Sequence, residues 1–208
     1  MTRLSHKFYQ RDPVSLARAL LGQRLVRVLD DGTRLAGLIV ETEAYLGVAD
    51  RAAHSYGGRR TARNAAMWGP AGRAYVYFVY GLHHCMNVVA EGEERPTAVL
   101  IRALEPLEGL ERMRAHRAGR RPAARLRDTD LCSGPAKLAQ ALRLDRALDG
   151  VDLVAGDTLF LERAARVAPR RIVAAPRIGV AYAGEWAAKP LRFYVAGNPH
   201  VSVARPGH

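Results

Sequence analysis

The sequence predicts an α+β fold, a single domain in which a curved antiparallel or mixed β-sheet is surrounded by helices. Short runs that alternate apolar and polar residues, typical of strands, recur along the chain. The connections between them are short enough for antiparallel pairing, and a few helical segments fall among them. No repeat or low-complexity linker divides the 208 residues. We therefore expect one domain over residues 1–208, with residues 1–11 and 204–208 as peripheral tails.

Local signals place the individual elements. A helix is expected after Asp12, a favourable N-cap residue, with Pro13 at its first position. Asp31-Gly32 predicts a hairpin turn between the first two strands, and glycines and a proline mark residues 46–72 as a loop. Short strands and turns alternate in the C-terminal third. The other predicted helices cover residues 107–116 and 136–142, and the predicted strands cover residues 25–29, 38–45, 75–79, 86–90 and 98–103.

Composition excludes several classes of protein. A hydrophobic content of 49% and a charged content of 25% are ordinary for a globular domain. The sequence has neither an apolar stretch of about 18 residues nor a basic–apolar–small pattern at its start, so no membrane span or signal peptide is expected. Cys85 and Cys132 show no metal-ligand spacing. We therefore expect no metal, no cofactor and a cytoplasmic location.

The charge balance favours a nucleic-acid partner. Lysine and arginine number 32 against 20 acidic residues, and nearly all of this excess is arginine. Arginine suits forked contact with phosphates, and a strongly basic chain suits a polyanion. An arginine-rich composition can equally reflect a GC-rich genome. The seven arginines between Arg112 and Arg127 can equally form a solvated helix end and loop.

Glu43 is the candidate catalytic group. It lies in an apolar run, residues 38–45, which reads Leu-Ile-Val-Glu-Thr-Glu-Ala-Tyr. Alternation along a strand places Glu41 and Glu43 on one face, beside Ile39 and Tyr45. A buried carboxylate without a partner is costly, so these side chains need a reason to be there. The alternative is an ordinary pair of surface ion pairs with some of the many arginines.

An aromatic strand provides the second candidate feature. Along it, Tyr75 and Tyr77 point to one side, and Phe78 and Tyr80 to the other. Tyr80 comes last before a turn, and an aromatic residue at such a tip suits a wedge between stacked bases. Enzymes that act on a base extrude the nucleotide and hold the base by stacking, which the other tyrosines can supply. The alternative is that this strand packs in the core.

Several motifs occur in a fixed order along most of the chain. They are Val40-Glu-Thr-Glu-Ala-Tyr-Leu-Gly47, Ala53-His-Ser55, Arg63-Asn64, Tyr75-Val-Tyr-Phe-Val-Tyr-Gly81, Cys85-Met-Asn87, Leu100-Ile-Arg-Ala-Leu-Glu-Pro106, Leu131-Cys-Ser-Gly-Pro-Ala-Lys-Leu138, Arg177-Ile-Gly-Val180 and Gly184-Glu-Trp-Ala-Ala-Lys-Pro-Leu-Arg-Phe-Tyr-Val195. In this order and spacing they resemble the alkyladenine (3-methyladenine, or N-methylpurine) DNA glycosylase family, over about residues 16–203.

The resemblance implies a glycosylase-like fold and a monofunctional hydrolase. Such an enzyme flips an alkylated or deaminated purine (3-methyladenine, 7-methylguanine, hypoxanthine or ethenoadenine) out of double-stranded DNA, cleaves its N-glycosidic bond and leaves an abasic site. It implies that Glu43 is the general base that deprotonates a water aimed at C1′, and that Arg102 supports this water and the backbone phosphate. We also expect a monomer that does not bind membranes, and the resemblance implies association with a bacterial nucleoid.

The resemblance also assigns the base pocket and the DNA contacts. Tyr45, Tyr77 and His54 match residues that hold the extruded base, and Asn87 matches one that crowds the exocyclic amine of normal guanine. Tyr80 matches the residue that fills the gap left in the duplex. The remaining implied DNA contacts are Arg59, Thr61, Arg63, Ser133 and Lys137.

Two other functional classes remain open at this stage. A nucleic-acid-binding module without catalysis needs the basic residues and the tyrosines but not the carboxylate of Glu43. An enzyme acting on small nucleosides, or another carboxylate-dependent hydrolase, needs no Tyr80 wedge and no duplex. The acid that protonates a neutral leaving base is not identified by the sequence, and neither is the role of the arginines between Arg112 and Arg127.

Overall fold

The structure, a computed structural model, describes residues 2–79, 81, 83–119 and 122–202. The α-helices are α1 (His6–Tyr9), α2 (Pro13–Leu20), α3 (Leu110–Arg117), α4 (Asp128–Leu131), α5 (Pro135–Ala141) and α6 (Glu185–Ala188). The strands are β1 (Arg24–Val28), β2 (Arg34–Tyr45), β3 (Ala74–Val79), β4 (His83–Val89), β5 (Ala98–Glu108), β6 (Leu159–Glu162), β7 (Ile172–Ala175) and β8 (Arg192–Val195). Short 3-10 turns occupy Gly47–Ala49, Tyr56–Gly58, Ala65–Trp68, Ala123–Arg125, Arg146–Leu148, Pro169–Arg171 and Ala181–Ala183.

The strands form one curled sheet of eight strands, which confirms the predicted α+β class. Its main path runs β3-β4-β5-β2-β1-β6, and β8 pairs with both β2 and β7. Each pairing between these strands is antiparallel. Strand β2 is the centre of this arrangement, because it pairs with β5 on one side and with β1 and then β8 on the other. Its twelve residues therefore join both halves of the sheet.

An irregularity in β2 separates the core from the polar residues. Ile39 pairs with Leu104 of β5 and Glu41 pairs with the adjacent Ala103, so Val40 is an additional residue in β2. Such a bulge moves the side chains that follow it to the other face. Ile39 consequently packs in the main core with Val40 and Ala44, whereas Glu43 does not. The expectation that Ile39 shares a face with Glu41 and Glu43 was therefore wrong.

Helices cover one face of the sheet. Helix α2 begins as predicted, because the Asp12 carboxylate accepts hydrogen bonds from the backbone N–H of Val14 at 3.1 Å and of Ser15 at 2.9 Å. Its Leu16 and Leu20 are fully buried in the main core. Helices α3 and α5 pack on each other, and α5 also packs on β4 and β5. The opposite face of β2, β3, β4 and β5 is left to face the loops.

Two expectations about the elements were wrong. Residues 1–11 are not a peripheral tail as far as they are described, because Leu4 and Tyr9 are fully buried in the main core. The segment at residues 107 and 108 continues β5 instead of starting a helix. Gly109 ends the strand in a left-handed conformation, with φ of +73°, and a Cβ there would overlap a Leu35 side-chain carbon. Residues 204–208 lie outside the described part of the chain.

No helix in the described ranges combines the length and apolar character needed to cross a membrane. Within the same ranges, no group of three histidine, cysteine, aspartate or glutamate side chains is arranged to hold a metal ion.

Candidate functional site

Strand register brings the candidate residues together. Tyr75 of β3 pairs with Asn87 of β4, and Asn87 pairs with Leu100 of β5. Leu100 in turn pairs with Glu43 of β2, which pairs with Arg192 of β8. Residues directly opposite each other in antiparallel strands share a face. One row across five strands therefore carries Tyr75, Asn87 and Glu43, which are far apart in the sequence.

A cleft of about 440 Å³ lies over this face of the sheet. Strands β3, β4 and β5 form its floor, while the loops after β2 and after β7 form its sides. It contains all four residues predicted to bind the base, together with Arg102. Its main lining residues are Tyr45, Ala52, His54, Arg63, Met67, Tyr75, Tyr77, Cys85, Asn87, Leu100, Arg102, Pro135, Ile178, Val180 and Tyr182.

Glu43 lies at the back of this cleft and has no exposed surface. The Tyr45 hydroxyl donates a hydrogen bond to its Oε2 at 3.0 Å, and the backbone N–H of Ile178 donates to its Oε1 at 2.8 Å. A guanidinium nitrogen of Arg102 lies 3.1 Å from the same Oε1. All three partners line the cleft. The surface ion-pair interpretation is therefore wrong for Glu43, which is buried and held by donors that border the cleft.

Glu41 is equally buried but is bound to different groups. Its Oε1 accepts hydrogen bonds from Arg102 Nε at 3.1 Å and from an Arg192 guanidinium nitrogen at 3.0 Å. The backbone N–H of Ser202 donates to its other oxygen at 2.8 Å. These bonds use both oxygens of Glu41 within the protein interior, so Glu41 holds the two arginines in place.

Arg102 joins the two carboxylates. It is 6% exposed and lies between Glu41 and Glu43. Burial by itself lowers the pKa of the guanidinium, but the neighbouring charges of Glu43 and Glu41 outweigh this and raise it. The guanidinium therefore stays positively charged, and its ion pairs with both carboxylates fix its position. Its position at the back of the cleft agrees with the predicted supporting role.

Tyr45 provides part of the aromatic wall. Burial and the adjacent Glu43 raise the pKa of its phenol well above the ordinary value, so the hydroxyl stays protonated and acts as the donor to Glu43. The guanidinium carbon of Arg177 lies 4.7 Å from the centroid of the Tyr45 ring. The ring is therefore fixed both at its hydroxyl and on its face.

His54 and two tyrosines form a second aromatic group. The rings of Tyr75 and Tyr77 are stacked, with centroids 5.0 Å apart, and the His54 ring meets Tyr77 edge-on at 4.6 Å. His54 Nδ1 is hydrogen-bonded to the Tyr75 hydroxyl at 2.8 Å. Desolvation, together with the charges of Arg63 and Arg59, lowers the pKa of His54 to about 4. The imidazole is therefore neutral near pH 7.

The mouth of the cleft is basic. A smaller basin of about 300 Å³ adjoins the cleft and shares His54 with it. The side chains of Arg51, Arg59 and Arg63 line the basin, and none of them forms an ion pair within the part of the chain that the structure describes. Thr61 lies in the same basin and donates its backbone N–H to the Asn64 side chain at 2.7 Å. The residues predicted to contact DNA through this loop thus lie together at the entrance.

The other predicted DNA contacts have different surroundings. Lys137 Nζ donates a hydrogen bond to Ser133 Oγ at 3.2 Å, at the start of α5. Both side chains are half-buried, and Pro135 between them lines the cleft. Tyr80, the predicted wedge, lies outside the described residues. Its neighbour Val79 lines the cleft.

Three of the seven arginines between Arg112 and Arg127 form ion pairs with acids outside that segment. Arg112 pairs with Asp31, Arg114 with Glu111 and Asp128, and Arg127 with Asp130. These acids precede or follow the segment in the sequence. Part of the positive charge of this segment is therefore balanced by neighbouring acids, whereas the arginines at the mouth of the cleft form no ion pairs among the described residues.

The sequence reasoning missed several residues of the site. Arg177 and Asp50 form a fully buried bidentate ion pair, at 2.5 and 2.8 Å, beneath the cleft. Tyr182, a residue that is 70% exposed, lines the cleft. Tyr75 holds His54 through a hydrogen bond. Arg177 lies in one of the quoted motifs, but only its position in the fold shows that it contacts the Tyr45 ring. Asp50 gave no signal beyond being an acid in a loop.

Comparisons with known proteins show which family this chain resembles in sequence. The sequence profile described as "Methylpurine-DNA glycosylase (MPG)" matches residues 7–199. A human protein named DNA-3-methyladenine glycosylase is 53% identical over 98% of this chain and 69% of its own length. The mouse protein of the same name is also 53% identical, and the chain spans 61% of that protein's length.

A microbial relative is similar over its whole length. A protein of Methanocella arvoryzae, named provisionally as a 3-methyladenine DNA glycosylase, is 48% identical over 100% of this chain and 99% of its own. The profile and these relatives cover the cleft, the loops that close it and the sheet beneath. The chain therefore belongs to the methylpurine-DNA glycosylase family, hydrolases that act on N-glycosidic bonds in DNA repair.

Proposed function

We propose that this protein binds double-stranded DNA, accepts an alkylated or deaminated purine nucleotide flipped out of the duplex, and hydrolyses its N-glycosidic bond. The observation that carries the proposal is the buried carboxylate of Glu43, held by three donors directly behind an aromatic cleft with a basic mouth. A planar purine fits between aromatic walls, and the basic mouth suits the phosphates on either side of the flipped nucleotide.

Glu43 acts on the sugar end of the nucleotide. Cleaving a base from its sugar passes through a cation-like sugar, which a nearby carboxylate stabilises. A water held by Glu43 gives its proton to the carboxylate, and its oxygen adds to C1′ while the bond to the base nitrogen breaks. The electron pair of that bond leaves with the base, so a cationic alkylated purine departs as a neutral base and a neutral purine takes up one proton as it departs. The Oε2 atom, bonded to Tyr45 only, keeps a lone pair for this water. Arg102 is fixed beside it by Glu41.

The walls of the cleft select the base. Tyr45, Tyr77 and His54 enclose it, and the neutral His54, whose Nδ1 is hydrogen-bonded to Tyr75, presents its other nitrogen to the base edge. Asn87, 4% exposed on the floor of the cleft, crowds the exocyclic amine of normal guanine. Tyr80 is proposed to fill the vacated position in the duplex, at a gain of about 1–3 kcal/mol from stacking.

The product is an abasic site in an intact strand. A strand-cleaving lysine attacks C1′ and forms a Schiff base. The half-buried Lys137 is instead hydrogen-bonded to Ser133 Oγ at 3.2 Å, at the start of α5. We therefore propose a monofunctional enzyme in which Ser133 and Lys137 contact the DNA backbone.

The proposal is tested with a panel of duplexes that each carry one damaged purine. Wild type, E43Q and the control E108Q are incubated with each duplex, and free base and strand breaks with and without heating are measured separately. Glu108 pairs with Arg24 and Arg34, away from the cleft, so E108Q keeps wild-type release. Wild type releases the base and leaves heat-labile sites, whereas release by E43Q is slower by about 10²- to 10⁴-fold.

The other functional classes give different results in the same experiment. A binding module without catalysis releases no base with any variant. A nucleoside hydrolase releases the base from free nucleosides as readily as from duplexes. Strand breaks that appear without heating would show lyase activity and would make Lys137 the candidate nucleophile for it.

A further inference from the structure

The ring of Tyr45 is not a free aromatic face. The Arg177 guanidinium carbon lies 4.7 Å from its centroid, which is within the range of a cation–π contact. Tyr45 lines the cleft but Arg177 does not, so the guanidinium occupies the side of the ring that faces away from the cleft. A base entering the cleft therefore stacks on a ring that already carries a cation on its other side.

The position of Arg177 is fixed by several bonds. Its two terminal nitrogens bind the two Asp50 oxygens, and one of them also donates to the backbone carbonyl of Ala44 at 3.0 Å. The side chains of Arg177 and Asp50 have no exposed surface. The pair forms a buried dipole whose positive end contacts the ring, and low solvent access leaves its field poorly screened.

The charged side chains that line the base pocket are cationic, as Arg177 is. Arg102 and Arg63 line the cleft, and the guanidinium of Arg63 also lies 5.7 Å from the centroid of the Tyr77 ring. His54 is neutral at pH 7. Apart from Glu43, which lies at the sugar end, the described side chains that line the cleft therefore offer no negative charge to a cationic purine.

We propose that Arg177, fixed by Asp50 behind the Tyr45 ring, opposes the stacking of positively charged purines and so shifts the selectivity of the pocket toward neutral damaged purines. The inference rests on the proposed function, since it concerns the base held in that pocket. Arg177 is a positioning residue for Tyr45 and a determinant of base specificity; it does not touch the base. Purines alkylated at N3 or N7 are the cationic class, and hypoxanthine represents the neutral class.

The test compares two single-turnover rates for the same enzyme: release of 7-methylguanine and release of hypoxanthine, each corrected for spontaneous loss. Their ratio cancels a general loss of activity. In R177M/D50N both charges are removed and the apolar stem remains against the ring, so the ratio rises by about five- to tenfold, the size of a partly desolvated cation–π interaction. In R177K the cation is kept and the ratio stays within about twofold of wild type, the spread expected when the charge term is unchanged.

Two further variants complete the design. D50N leaves the charge of Arg177 uncompensated, so it lowers the ratio. R18M removes an arginine stacked at 4.6 Å on the Phe193 ring, outside the cleft, and leaves the ratio unchanged. If thermal unfolding measurements show that R177M/D50N does not fold, D50N and R177K still test the proposal: it requires a lower ratio in D50N and an unchanged ratio in R177K.

The results separate the inference from the proposed function. If wild type releases neither base, the proposed function fails. If wild type is active but R177M/D50N leaves the ratio unchanged, or R177K and R177M/D50N raise it equally, the charge of Arg177 does not set selectivity and the inference is overturned. An increase of the ratio by D50N overturns it as well.

Discussion

The back of the cleft and its mouth use charged residues in opposite ways. At the back, Glu41, Glu43, Arg102 and Arg192 are buried, and each is bound to an opposite charge. At the mouth, arginines line the basin without ion pairs among the described residues. Paired buried charges have fixed positions, which the proposed chemistry at C1′ requires. Unpaired exposed cations remain available for phosphates, which DNA binding requires.

This difference also shows why counting arginines does not locate a nucleic-acid surface. The segment from Arg112 to Arg127 contains seven arginines, but several of them bind acids from neighbouring segments. The loop from Arg51 to Arg63 contains fewer, yet three of them line the entrance to the cleft. What matters for a polyanion is the charge that the fold leaves unbalanced.

The largest expected effect is the loss of activity in E43Q. An amide keeps the size of the side chain but cannot take a proton from water, so single-turnover base release falls by about 10²- to 10⁴-fold, the usual contribution of a general base. Binding to a duplex with a damaged base, measured by fluorescence anisotropy, is retained. Full base release by E43Q would show that the back of the cleft is not the catalytic region.

Replacing the neighbouring Glu41 should affect stability instead. E41Q leaves Arg102 and Arg192 without their shared buried anion, and breaking a buried ion pair costs about 3–5 kcal/mol. Urea unfolding monitored by circular dichroism measures this loss. The control E105Q alters a carboxylate that accepts a hydrogen bond from the Asn198 side chain at 2.8 Å, and a smaller loss is expected there. Equal stability of E41Q and E105Q would contradict the structural role assigned to the buried Glu41.

At the mouth, R59Q and R63Q should weaken DNA binding without affecting the fold. Each arginine that neutralises a phosphate contributes about 0.9 to the slope of log K against log salt concentration, so each substitution reduces this slope by about 1. The slope is measured by anisotropy with an undamaged duplex at several salt concentrations.

The matched control for these variants is R60Q. Arg60 lies between the two arginines in sequence but pairs with Glu94 at 3.0 Å and stacks on Trp68. R60Q leaves the salt dependence unchanged, and so does R112Q, since Arg112 pairs with Asp31. If R60Q reduced the slope as much as R59Q, the absence of an ion pair would not be what makes an arginine available to phosphates.

The smallest expected effect concerns pH. The folded-state pKa of His54 is about 4, below the ordinary value of 6.5. As the pH falls from about 6.5 to about 4, the unfolded chain binds a proton at this residue before the folded chain does, so the folded state loses stability. H54Q should therefore lose less stability than wild type between pH 7 and pH 5, measured by urea unfolding. A steeper loss in H54Q would contradict a neutral His54.

The local features of the chain were predictable because they depend on neighbouring residues. Asp12 and Pro13 define the start of α2 through a cap and a fixed φ. The predicted start of a helix at residue 107 was wrong, because β5 continues to Glu108 and α3 begins at Leu110. This continuation depends on pairing with β2, a contact between segments distant in sequence. The predicted face of Ile39 was wrong because a single additional residue in β2 reverses the alternation.

The sequence by itself determined the class of fold, the family and the set of candidate residues, since strand periodicity, capping residues and ordered motifs are local patterns. Only the tertiary structure decided which of those residues share a cleft and which charges are balanced. Strand register put Glu43 in a row with Asn87 and Tyr75, and burial gave Glu41 and Glu43 different partners. Burial and pairing depend on segments that approach each other only when the chain folds.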